Sequence, residues 1–157
     1  MGDNMHMIVE TMHAEGDCTL ENALELGPEQ LKQRDVIKID ISERCPKEYD
    51  LKTDPTLYKS KKTDRGPLRP EWQATAKPIM TCYKLCSVKF KWFGIQKRVE
   101  SIIAKDQMRM IWLFHQKLFC LLDEWFGLTI DDIRKLEQEA KEELDERLKN
   151  AQIEGKE

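Results

Sequence analysis

The chain has no long hydrophobic run. None of its apolar stretches approaches the ~20 residues that a membrane-spanning helix requires, and its start has no apolar secretory stretch. A phosphate-binding glycine loop, a nucleophile paired with a base and a metal-ligand cluster are also absent from the sequence. We therefore expect a cytoplasmic protein that is not an enzyme and that uses no cofactor and no metal.

The cysteine spacing does not indicate disulfides or a zinc site. The five cysteines are an odd number, and the three histidines have no zinc-ligand spacing with them. Cys82 and Cys86 come closest to a pair. In a strand their Cα atoms would lie about 13 Å apart, beyond the ~7 Å reach of a disulfide. We expect reduced thiols, as in cytosolic proteins.

The charges are unevenly distributed along the chain. The 157 residues contain 26 Lys and Arg and 29 Asp and Glu, with a net charge of −3. Residues 1–58 are acidic, whereas residues 59–98 hold 11 Lys and Arg against 2 Asp and Glu. Such a basic block indicates a surface that meets anions, which leaves open phospholipid headgroups, nucleic acid or an acidic partner. Nucleic acid is disfavoured because no recognition-helix motif is present.

Three stretches have strand character. His6 to His13 is short and alternates only weakly, Val36 to Ser42 alternates cleanly, and Thr81 to Phe93 is the longest. Residues 49–71 are rich in Lys, Asp, Pro and Gly and predict an ordered surface loop.

Helical patterns dominate the second half of the chain. Residues 95–125 carry a wide apolar stripe between Gly94 and Gly127, typical of a helix of about 45 Å. Thr129 and Asp132 resemble a capping box that opens another helix, ending near Lys149. A short helix is expected after Pro28. The fold class is therefore α+β, and three strands cover the long helix incompletely.

Two features of the longest strand have both functional and ordinary explanations. Lys84 interrupts an otherwise apolar strand face, so it either meets a buried anion or extends to water. Trp92 and Phe93 end the strand among basic residues. They are either core aromatics or side chains that insert into an anionic membrane interface.

Two further residues are candidates for regulation or recognition. Ser60 lies among Lys and Arg residues, where a phosphate would gain charge-assisted contacts, although a solvated loop explains the pattern equally. Glu137 is adjacent to the apolar stripe of the last helix, where most carboxylates are simply solvated.

Several of these segments together resemble the phosphatidylinositol transfer proteins, most closely the single-domain class I. The matching stretches are Lys59-Ser60, Arg65-Gly66-Pro67-Leu68, Tyr83-Lys84-Leu85, Val88 to Gly94, Leu118-Phe119-Cys120, Asp123-Glu124-Trp125 and Leu128 to Arg134. They keep the family's order over nearly the whole chain. Pro78-Ile79-Met80 is more similar to the related phosphatidic-acid-binding branch.

The resemblance implies a fold and a set of binding residues. The family has a curved antiparallel sheet packed against long helices, a START-like helix-grip that encloses one phospholipid. By resemblance, Lys84 and Thr11 contact the lipid phosphate and Glu137 hydrogen-bonds the inositol ring. Trp92 and Phe93 match the membrane-docking pair, although the family usually has Trp at both positions. Ser60 resembles its regulatory phosphorylation site.

The resemblance also predicts that the chain is incomplete. It corresponds to roughly the C-terminal three-fifths of a class I protein, so residues 1–157 form one N-terminally truncated transfer domain. The absent strands would leave sheet edge and apolar surface exposed.

Two functions follow from this resemblance. The first is a monomeric carrier of phosphatidylinositol and phosphatidylcholine that docks transiently on intracellular anionic membranes. The alternative is a truncated fragment that binds membranes or partners without transferring lipid.

Overall fold

The computed structural model describes residues 4–45 and 49–154, with side chains through residue 151. It is an α+β structure with the element order β1, α1, α2, β2, α3, α4 and α5. The bounds are Met5–Glu15 for β1, Pro28–Gln33 for α1, Trp72–Thr75 for α2, Met80–Phe90 for β2, Gln96–Cys120 for α3, Leu122–Trp125 for α4 and Ile130–Glu154 for α5. A 3-10 turn occupies Leu51–Thr53.

β1 and β2 form one two-stranded antiparallel sheet. Their register pairs Met5 with Phe90 at one end and Glu15 with Met80 at the other. Two of the three predicted strands are therefore confirmed, and β1 is longer than its weak alternation indicated. The apolar residues of β1 are partly exposed to solvent. This sheet is the structural frame for the candidate site.

The predicted strand from Val36 to Ser42 is wrong. Residues 34–40 are unpaired and a turn follows, although the alternation of apolar residues is present. The Asp40 carboxylate closes this turn because it accepts hydrogen bonds from the Ser42 backbone N–H at 2.8 Å and from Trp72 Nε1 at 2.9 Å. An alternating segment forms a strand only where a neighbouring strand pairs with it. Among the described residues, no strand pairs with this segment.

The long predicted helix is divided in two. α3 ends at Cys120, and Leu121 has non-helical dihedral angles (φ −97°, ψ 15°) before α4 begins. The predicted start of the last helix is confirmed. The backbone N–H of Thr129 donates to Asp132 Oδ2 at 2.9 Å, and that of Asp132 donates to Thr129 Oγ1 at 3.2 Å. α5 continues five residues beyond the predicted end near Lys149.

The loop predicted on the surface is partly buried against α3. Pro55, Ser60 and Leu68 lie in the interior, and the Tyr58 ring meets the Phe119 ring edge-on with centroids 5.8 Å apart. Gly66 has φ +83°, a conformation that favours glycine. The loop is thus part of the core around α3 rather than a solvated connection.

The chain divides into two compact units, Met1–Leu121 and Leu122–Glu157. The sheet, α1, α2 and α3 belong to the first unit, and α4 and α5 belong to the second. A single domain over residues 1–157 stays a prediction. Among the described helices, none combines the length and the hydropathy that spanning a bilayer would require.

Candidate functional site

Thr11 and Lys84, two of the three predicted headgroup residues, are neighbours in the sheet. The register places Thr11 of β1 directly opposite Lys84 of β2, and Lys84 Nζ donates to Thr11 Oγ1 at 3.2 Å. The Thr11 hydroxyl keeps its own proton for another acceptor, and the ammonium has two further protons. This pair can therefore present several donors to one anion.

The two sides of the pair differ in exposure. Thr11 is exposed and Lys84 is half-buried, so the ammonium is partly removed from water while it remains accessible. Lys84 neither sits unpaired in an apolar core nor extends fully into solvent. A partly desolvated ammonium attracts an anion more strongly than an exposed one does. The arrangement is chemically suited to a phosphate oxygen.

The Lys84 charge acts electrostatically on the side chains of Cys86 and His115. Burial raises the pKa of the Cys86 thiol, and the Lys84 charge opposes that rise. Burial lowers the pKa of His115 below its usual value, and electrostatic interactions with Lys84 and His13 lower it further. His115 of α3 therefore lies within the electrostatic reach of the Lys84 site and is held neutral near pH 7.

His115 is a residue that the sequence reasoning did not assign to the site. Its Nε2 atom is buried and has no hydrogen-bond partner within the described ranges. The neighbouring Phe114 ring contacts the imidazole edge-on, with centroids 5.3 Å apart. The available signal was a polar residue inside the apolar stripe of the long helix, four positions after Ile111 and three before Leu118.

Glu137, the third predicted headgroup residue, belongs to the second unit. It lies on α5 and is exposed there. The structure thus brings Thr11 and Lys84 together within the first unit, whereas the role of Glu137 stays a prediction.

Trp92 and Phe93 lie in the turn between β2 and α3, not in the strand itself. Trp92 is 59% exposed and Phe93 is fully exposed, so neither is a core aromatic. The next residue, Gly94, has φ +86° and allows the sharp turn. The flanking bases are all exposed: Lys89, Lys91, Lys97 and Arg98. An exposed aromatic tip ringed by cations has the composition of a membrane-interface contact.

Ser60 is almost completely enclosed, with 1% of its surface exposed. Its hydroxyl oxygen accepts hydrogen bonds from the Thr63 backbone N–H at 3.0 Å and from Thr63 Oγ1 at 2.8 Å. Lys59 Nζ and Asp64 Oδ1 form an ion pair of 2.8 Å across the same loop. The solvated-loop interpretation is therefore wrong, and a kinase would reach this hydroxyl only after local opening of the loop.

All five cysteines are free thiols. Cys82 and Cys86 both lie in β2, as predicted, and are half-buried. In the described parts of the chain, no three His, Cys, Asp or Glu side chains are grouped as metal ligands.

The chain is similar to known proteins over nearly its whole length. The sequence model of one family, described as phosphatidylinositol transfer protein, matches residues 1–142. Phosphatidylinositol transfer protein 2 of Dictyostelium discoideum is 48% identical over 94% of this chain. The phosphatidylinositol transfer protein beta isoform of Homo sapiens is 39% identical over 99% of it.

The chain spans about three-fifths of the length of these curated relatives. It covers 58% of the Dictyostelium discoideum protein and 60% of the human protein. The resemblance to the phosphatidylinositol transfer proteins is therefore confirmed. The prediction that the chain corresponds to about three-fifths of such a protein is confirmed as well.

Proposed function

Because the chain belongs to the phosphatidylinositol transfer protein family, we propose that it binds phosphatidylinositol and carries it between membranes without a chemical reaction. The observation that carries this proposal is the contact of 3.2 Å between Lys84 Nζ and Thr11 Oγ1. It supplies a cation and a hydroxyl donor at one point of the sheet, which suits the phosphodiester of a phospholipid.

In this proposal the lipid phosphate and the inositol ring are recognised separately. Lys84 and Thr11 bind the phosphate, which phosphatidylinositol and phosphatidylcholine share. Glu137 accepts hydrogen bonds from inositol hydroxyls, and a headgroup without these donors is disfavoured because it leaves the carboxylate unpaired. The two-stranded sheet and α3 then form part of a START-like helix-grip, in which the acyl chains run between sheet and helix.

The proposed carrier meets membranes through the turn that holds Trp92 and Phe93. Their exposure and the surrounding cations support docking on an anionic bilayer of an intracellular membrane. Between docking events the protein is a cytoplasmic monomer. Phosphorylation of Ser60 would add charge to a closed, hydrogen-bonded loop and thereby regulate the carrier.

Vesicle-to-vesicle transfer tests the binding residues. Donor vesicles contain labelled phosphatidylinositol or labelled phosphatidylcholine, and acceptor vesicles contain unlabelled phosphatidylcholine. Lys84→Ala should lower transfer of both lipids about tenfold or more, since a hydrogen bond to a charged group contributes about 1.5–3 kcal/mol. Glu137→Ala should lower transfer of phosphatidylinositol alone.

Two exposed residues provide matched controls. Lys52→Ala removes a lysine from the 3-10 turn, and Glu139→Ala removes a carboxylate from α5. Neither should change transfer. Equal and robust transfer by the unaltered chain and Lys84→Ala would remove Lys84 from the proposed site.

The second candidate function is a membrane- or partner-binding fragment that transfers no lipid. The exposed apolar side chains of β1, among them Ile8 and Val9, favour it because such a strand has surface available for another partner. This candidate predicts vesicle binding that depends on Phe93 while transfer of both lipids is absent from every variant.

A further inference from the structure

The imidazole of His115 has a buried nitrogen that the fold leaves unsatisfied. Nε2 is out of contact with solvent and has no hydrogen-bond partner in the described part of the chain. Most buried polar atoms in native proteins are paired, because leaving one unpaired lowers stability. An unpartnered atom of this kind is therefore a place where a ligand can supply the missing partner.

Polar side chains from both strands share one face of the sheet. Thr11 and His13 are two residues apart on β1 and point to the same face of the sheet. Lys84 lies opposite Thr11 on that face and donates to its hydroxyl at 3.2 Å. His115 is on α3, which packs on β2. These donors belong to β1, β2 and α3, and Lys84 and His13 are near enough to His115 to affect its pKa.

The electrostatics of this region keep the imidazole neutral. Burial lowers the pKa of His115, and the electrostatic interactions with Lys84 on β2 and His13 on β1 lower it further. A neutral imidazole that carries its proton on Nε2 donates one hydrogen bond without adding a second buried charge. Such a donor suits an anion whose charge Lys84 already balances.

We infer that His115 is a further phosphate-binding residue and that its Nε2–H donates to a phosphodiester oxygen of a phospholipid held by Lys84 and Thr11. A phosphodiester shares one negative charge between two non-bridging oxygens, and these offer more acceptor positions than one ammonium and one hydroxyl fill. This inference rests on the proposed function and adds to it the group that completes the phosphate site.

Two substitutions separate a ligand contact from a structural role. His115→Phe keeps a ring for the edge-on contact with Phe114 but removes the nitrogen. His115→Gln keeps an N–H near the position of Nε2. His6→Phe is the matched control, because His6 lies on β1 at an exposed position of the opposite face.

The binding experiment uses the full chain and soluble dihexanoyl phosphatidylinositol in titration calorimetry. His115→Phe should weaken binding about tenfold or more, His115→Gln should stay within about threefold, and His6→Phe should match the unaltered chain. In the lipid-free state, His115→Phe should unfold at the same or a higher temperature, since it removes an unpaired buried nitrogen. A purely structural histidine predicts lower stability instead.

Two other probes identify the source of the phosphate. Dihexanoylglycerol, which lacks phosphate, should bind without any dependence on His115. Inorganic phosphate should bind more weakly than the phospholipid. If inorganic phosphate binds as tightly as dihexanoyl phosphatidylinositol, the assignment of a phospholipid as the ligand is refuted.

A measurement on the unaltered chain avoids the risk that a variant fails to fold. Imidazole ¹H–¹⁵N spectra should show a large shift of the His115 Nε2 signal on addition of dihexanoyl phosphatidylinositol and little change at His6. If Lys84→Ala weakens binding of dihexanoyl phosphatidylinositol and His115→Phe leaves it unchanged, the role of His115 is refuted while the proposed function stands. No binding by the unaltered chain would overturn the proposed function as well.

Discussion

Phe93→Ala is the sharpest perturbation of the proposed membrane surface. The Phe93 side chain is fully exposed, so its removal creates no cavity and leaves no buried group without a partner. Transferring a Phe side chain from water to an apolar medium contributes about 1.5–3 kcal/mol. If Phe93 inserts on docking, its loss should weaken vesicle binding about 10- to 100-fold.

The assay is co-sedimentation with vesicles of phosphatidylcholine containing one-fifth phosphatidylinositol, at low and at physiological salt. Binding of the unaltered chain should decrease with salt, because Lys91, Lys97 and neighbouring bases contribute electrostatic attraction. Thermal unfolding of Phe93→Ala should be unchanged, which separates lost docking from lost folding.

Phe126→Ala provides the matched control. Phe126 is 49% exposed, but it follows the acidic residues Asp123 and Glu124 rather than lysines. An anionic surface does not favour its approach, so binding should change by less than about twofold. Equal binding by Phe93→Ala and the unaltered chain would refute the assignment of Phe93 to the membrane surface. An equal loss in both variants would refute the specificity of the basic turn.

Two further predictions concern stability and thiol chemistry. A Cβ on Gly66 would lie 2.3 Å from the Tyr58 carbonyl oxygen, so Gly66→Ala should lower the free energy of unfolding in urea by about 2 kcal/mol or more. Gly16 also has a positive φ, but a Cβ there would meet open space, so Gly16→Ala should lower the free energy of unfolding by less. Equal losses in the two variants would contradict the role of the clash at Gly66. Burial and the Asp54 charge raise the pKa of Cys120 from 9.0 to about 11, so at pH 8 iodoacetamide should modify it more slowly than Cys18. As the pH rises, the Cys120 thiol ionises in the unfolded chain before it does so in the folded one, so the free energy of unfolding should fall between pH 9 and about pH 11. Cys120→Ala should reduce that fall. The same pH dependence of stability in Cys120→Ala and the unaltered chain would contradict the raised pKa.

Sequence patterns over a few neighbouring residues correctly predicted the strands and helix ends that depend only on those residues. Alternation along β2 and the Thr129–Asp132 cap depend on neighbouring residues, and both are confirmed. Alternation from Val36 to Ser42 gave a wrong strand, because a strand also requires a partner and Asp40 instead closes a turn with side-chain hydrogen bonds.

The candidate site depends on contacts that no local pattern encodes. Thr11 and Lys84 are 73 positions apart, so the register of β1 and β2 was needed to bring them together. The resemblance to the family named both residues, but not their contact. Ser60 was predicted to lie in a surface loop, as a phosphorylation site or as a merely solvated residue, and its burial arises from the packing of that loop against α3.

Native mass spectrometry of the full chain tests directly whether the protein carries a phospholipid. The chain is incubated with vesicles of phosphatidylinositol and phosphatidylcholine, separated from them and measured without denaturation. We expect a complex with one phospholipid per chain, and lower lipid occupancy for Lys84→Ala than for Lys52→Ala. A chain that binds the vesicles and emerges without lipid would contradict the carrier function and favour a membrane-binding fragment.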